Sequence, residues 1–145
     1  MSGRLGVVLD SGLFIAIERR KKVAVALVDL LFRNATPLVT SAGVVAQVWR
    51  GQGGRQVSVA FLLRQTEVVD ITYGVARLLG NMLGATRTSD LVDAHVALLA
   101  RQRGWSVLTS DPGDLLAIDP SIRVQLILGR SPKQCRTVGR HGNSS

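Results

Sequence analysis

Four of the ten acidic residues in this 145-residue chain fall where carboxylates could do chemistry. Asp90 and Asp93 stand three positions apart in SDLVDAHVALLA (89–100), so a helix puts both on one face. The rest of that stretch wants a dry core. Asp10 closes the short apolar run LGVVLD, and Asp111 closes WSVLTSD. Carboxylates that gather repel one another and do not ionise together without a counter-charge. A divalent cation supplies one, and oxygen-only ligands select Mg2+ or Mn2+ over Zn2+. Such an ion bridges to phosphate oxygens, as phosphodiester hydrolysis requires. Each acid also has a plain structural role open to it. Asp90 can complement a helix dipole after Thr88 and Ser89. Asp10 can cap the following helix, and Asp111 before Pro112 can start a turn. Asp93, followed by AHVALLA, sits less comfortably as a merely solvated charge.

The elements that must position these acids alternate between strand and helix. LGVVLD (5–10), PLVT (37–40), TEVVDI (66–71), WSVLTSD (105–111) and SIRVQLIL (121–128) read as strands. SGLFIAIERR, with Ser11 as a possible N-cap, KKVAVALVDLLFRN (21–34), SAGVVAQVWRG (41–51) and RQVSVAFLLRQ read as helices. So do TYGVARLLGNMLG (72–84) and TSDLVDAHVALLARQRG (88–104), with a short helical turn at PGDLLAI. This alternation predicts an α/β fold: a mainly parallel sheet with helices on both faces, a three-layer α/β/α sandwich. Sites in such sheets lie beyond the carboxyl ends of the strands, where Asp10 and Asp111 fall and where Asp90 and Asp93 can join them.

Composition narrows the class. Apolar residues make up 46% of the chain, so a single domain with a true core is expected over residues 1–129. Eighteen Lys and Arg against ten acids give +8, and Arg130, Lys133, Arg136 and Arg140 put half of that in a basic tail, 130–145, expected to be disordered. The balance favours a polyanionic partner. One cysteine, Cys135, allows no internal disulfide, and two histidines make a zinc site improbable. No apolar run reaches membrane-spanning length without a charge, and a cytoplasmic location is expected.

The segments VVLDSGLFIA, VTSAGVVAQVWRG, DLVDAHVALLA and VLTSDPGDL, in this order, resemble PIN-domain ribonucleases, in particular the VapC-type toxins of bacterial toxin–antitoxin pairs. The resemblance covers about residues 5–128. It implies a PIN-like α/β/α sandwich and a Mg2+- or Mn2+-dependent endoribonuclease, with an antitoxin partner and a homodimer. It matches Asp10, Asp93 and Asp111 to catalytic, metal-binding acids, and Ser11, Thr109 and Ser110 to the hydroxyls that support them. One position departs: Gln47 stands where the family commonly has Glu. An amide can orient a ligand but cannot lend charge or act as a base. Asp90 is expected to compensate as a further metal ligand.

Among the other residues, His95 reads as a packed helix residue, and Trp49 and Trp105 as core or interface anchors. Arg50 and Arg55 can follow an RNA backbone or simply end a helix in solvent. Three functions fit: an RNA-cutting toxin, a PIN-like RNA- or protein-binding module with chemistry lost at Gln47, and a response-regulator-like domain. The last needs a lysine late in the sheet, and none occurs between Lys22 and Lys133.

Overall fold

A computed structural model of the chain describes residues 5–86 and 90–127. Five strands form one sheet: β1 (Val7–Leu9), β2 (Leu38–Ser41), β3 (Glu67–Val69), β4 (Ser106–Thr109) and β5 (Val124–Leu126), in the order β3-β2-β1-β4-β5. Every pairing is parallel; Val8 faces Val39 on one side and Val107 on the other. The strands are short because apolar β-branched runs are cut off by polar residues that start the next helix. All the strands expected from the sequence are present, trimmed at their ends.

Seven helices connect them: α1 (Ser11–Glu18), α2 (Lys22–Arg33), α3 (Ala42–Val48), α4 (Gln56–Arg64), α5 (Tyr73–Thr86), α6 (Leu91–Arg103) and α7 (Pro112–Ile118). Helix α1 packs against α2, α3 and α4, whereas α6 packs across β1, β2 and β4 and is covered in turn by α5 and α7. This is the α/β/α sandwich that the strand–helix alternation predicts. From Ala94 to Ala100 every residue of α6 is buried. A helix apolar on all sides must be enclosed, and enclosure fixes where its polar start emerges.

Strand β1 is bracketed by two glycines that admit no side chain. A Cβ on Gly6 would lie 2.4 Å from Pro37 O and 2.7 Å from the Trp105 ring. A Cβ on Gly12 would lie 2.5 Å from Ser110 Oγ. The first contact seats the half-buried Trp105 at the amino end of the sheet. The second holds the start of α1 against the end of β4. Trp49 is largely exposed rather than a core anchor.

The basic tail expected at 130–145, with Cys135 and His141, lies outside the described residues, as do Thr88 and Ser89. No helix among the described residues is long and apolar enough to cross a membrane.

Candidate active site

The three longest-separated acids of the sequence meet at the carboxyl end of the sheet. Asp10 follows β1 and is buried. Its Oδ1 accepts from Ser11 N–H at 2.8 Å, so Asp10, not Ser11, is the N-cap of α1. Its Oδ2 accepts from Thr109 Oγ1 at 2.8 Å. The same Thr109 hydroxyl accepts from Asp111 N–H at 2.9 Å. One side chain at the end of β4 therefore orients two acids 101 positions apart in sequence.

Asp90 and Asp93 start α6. Asp90 is the N-cap, and its Oδ1 accepts from Asp93 N–H at 2.9 Å. Asp93 is half-buried, and its carboxyl is pushed up to about 7. Burial is the main cause, followed by the negative charges of Asp90, Asp10 and Asp114. Asp93 thus feels acids from three other elements of the chain.

Asp114 was not singled out by the sequence reading. It lies one turn into α7 and is within hydrogen-bonding reach of the Asp111 carboxyl. That contact, then the Asp111 charge, some burial and the Asp90 charge raise its pKa. The sequence did carry the signal: DPGD repeats the Asp-x-x-Asp spacing of DLVD, which had been noticed. Asp111 occupies the N-cap position of α7 without making a side-chain cap bond, so its carboxylate is not committed to the helix.

The remaining expected residues divide. Ser110 is exposed and packed on Gly12. Gln47 is exposed on α3, with no hydrogen bond to any of the acids among the described residues. Arg50 donates from Nη1 to Ala46 O and Trp49 O, which closes the carboxyl end of α3. Its N–H donates to Oε1 of the buried Gln56, whose Nε2 donates to Glu18 Oε2 and Val48 O. Arg55 is exposed at the start of α4. His95 is buried, as expected: its Nδ1 lies 2.6 Å from Ser41 Oγ, which also accepts from Gly43 N–H and caps α3. Burial pushes the His95 pKa down, which keeps the ring neutral. This pair ties α6 to the helix that bears Gln47.

Among the described residues no three acids or histidines stand at ready-made ligating distance. The chemistry of the donor set nevertheless fits a hard dication: carboxylate and hydroxyl oxygens only, converged so closely that two of the carboxyls resist ionising. No Lys or Arg among the described residues forms an ion pair with Asp10, Asp93, Asp111 or Asp114.

The family model of the PIN domain matches residues 7–119. The chain belongs to the PIN domain family. Search of the curated proteins gives no match. Among solved structures, this PIN domain is similar to VapBC2 from Rickettsia felis bound to a DNA fragment from their promoter, with a TM-score of 0.65, 15% identity and 84% of this chain and 98% of that chain covered. It is also similar to FitAcB from Neisseria gonorrhoeae, with a TM-score of 0.58, 20% identity and 86% and 99% covered. FitAB bound to an IR36 DNA fragment gives 0.58, 18%, 86% and 97%. At these identities the likeness speaks for the fold, and it spans almost the whole of each neighbour.

Proposed function

We propose that this PIN domain is a Mg2+- or Mn2+-dependent endoribonuclease and the toxin of a toxin–antitoxin pair. The observation that carries the reading is the convergence of Asp10, Asp93, Asp111 and Asp114 with no cationic side chain to neutralise them. Asp10, Asp93 and Asp111 would hold the ion, with Asp90 beside them. The bound ion supplies activation of water and neutralisation of the scissile phosphate. The protein's own contribution is placement. Thr109 and Ser11 N–H fix the Asp10 carboxylate, the Asp90 cap fixes the first turn of α6, and Ser110 on Gly12 closes β4 onto α1. Arg55 and the backbone-anchored Arg50 lie on the exposed turn after α3, where an RNA backbone can pass.

An apolar groove of about 400 Å3 supports the antitoxin. Ile17, Val25, Val28, Val57 and Phe61 line it between α2 and α4, with Asp29 and Arg64 also present. Val25, Val57 and Phe61 remain exposed without a partner chain. An amphipathic helix fits such a surface. Helix α5 buries only Leu79 and exposes Tyr73 and Leu78, which supports a second copy of the chain as a partner.

The test is cleavage. Purified protein is incubated with structured RNA and Mg2+ or Mn2+, beside Asp10→Ala and Asp93→Ala. Metal-dependent cleavage lost in both variants is the expected result. RNA retained without cleavage by the parent overturns it in favour of a binding module, the reading that Gln47 favours.

A further inference from the structure

We propose that Asp114 supplies the carboxylate that the Gln47 position lacks, so that the metal site of this chain is made by Asp10, Asp93, Asp111 and Asp114. The inference rests on the metal-dependent reading above and names the residues of that site. Three observations on the page support it.

The first is the state of Gln47. Its amide is neutral, exposed on α3 and without a hydrogen bond to the acids among the described residues, so α3 brings no negative charge to the site. The second is the difference between the two Asp-x-x-Asp pairs. In DLVD the leading acid is spent on the helix, because Asp90 Oδ1 takes the Asp93 N–H. In DPGD the leading acid makes no such bond: Asp111 N–H is held by Thr109 Oγ1, and both the Asp111 and Asp114 side chains are exposed. Asp114 therefore brings a full carboxylate, whereas Asp90 is occupied as a cap. The structure moves the compensating role expected of Asp90 to Asp114.

The third is position. Asp114 lies within hydrogen-bonding reach of Asp111, and its charge is felt at Asp93, which in turn feels Asp10. A carboxylate at that place has no arginine or lysine partner among the described residues. A purely structural acid on the surface would gain by avoiding three others, since like charges at this range destabilise the fold. Serving a dication reverses the sign of that interaction. The charge that most members carry on the helix after β2 is carried here on the helix after β4.

Metal affinity, read without activity, tests this. Mn2+ binding to the full chain is measured by titration calorimetry, with melting curves to confirm folding, for the parent and five variants. Asp114→Asn is expected to weaken Mn2+ at least tenfold, Asp90→Asn less than threefold, and Asp114→Glu less than threefold. Gln47→Glu combined with Asp114→Asn is expected to recover most of the loss. Asp93→Asn serves as the reference for the site. If Asp93→Asn abolishes binding while Asp114→Asn stays within twofold of the parent, Asp114 is only a first-turn helix acid and the inference fails. If Asp93→Asn itself binds Mn2+ like the parent, the metal-dependent reading fails with it.

Discussion

The two ends of the sheet treat the same residue types in opposite ways. At the amino end and the flanks each acid has an arginine: Glu67 with Arg103 at 2.9 Å, Asp119 with Arg101 at 3.4 Å, and Asp29 with Arg33 at 2.9 Å. The Glu67 carboxyl is held below its usual range by the paired guanidinium, and Arg103 also stacks over Trp105. At the carboxyl end, Asp10, Asp93, Asp111 and Asp114 have only hydroxyls, amides and one another. Asp93 and Asp114 titrate high as a result. The chain has eighteen Lys and Arg, so cations are not scarce. Where neutralisation is internal the acid serves the fold; where it is withheld the acid is kept for something from solution.

Four changes would break or sharpen that contrast. The largest effect is expected from Asp10→Asn, which should lower metal-dependent RNA cleavage at least a hundredfold, while Asp119→Asn at the other end leaves the rate within twofold. Rates of a labelled RNA under saturating Mn2+ decide this. Next is Thr109→Val, which removes the hydroxyl shared by Asp10 and Asp111. Leaving two polar groups short of a bond should cost about 1–3 kcal/mol in urea unfolding.

The third concerns pH in the metal-free protein. Asp93 titrates near 7 folded but near its ordinary 3.8 unfolded, so the folded state binds the proton more tightly between those values. Stability therefore falls as pH rises from about 4 to about 7 and stays lowered above. Asp93→Asn should raise the melting temperature at pH 8 and leave it unchanged below pH 4; equal melting at both pH values would show that the acids are not crowded. The smallest effect is expected from Glu67→Gln. This exposed pair is worth less than about 1 kcal/mol, a difference that should shrink further in high salt.

Much of this was legible in the sequence because apolar runs alternate so regularly with amphipathic ones. Strands end at Asp10 and Thr109 where the apolar run stops, and that alone sends the acids to one edge. What escaped depends on contacts between distant positions. Gly12 against Ser110, and Ser41 against His95, join residues whose types say nothing about each other. Ser11 looked like the cap of α1, but β1 stops one residue sooner and Asp10 takes the place. Asp114 was hidden in PGDLLAI, where Pro and Gly draw attention to the turn and away from the acid one turn further on.

The central place of β1, between β2 and β4, has a consequence for synthesis. Leu9 pairs with Leu108, and Thr109 reaches back 99 positions to hold Asp10. A ribosome must therefore release nearly the whole domain before the acids can meet. Prematurely terminated or half-made chains carry Asp10 alone and are inert, so the cell that makes this protein is exposed to it only as a finished product.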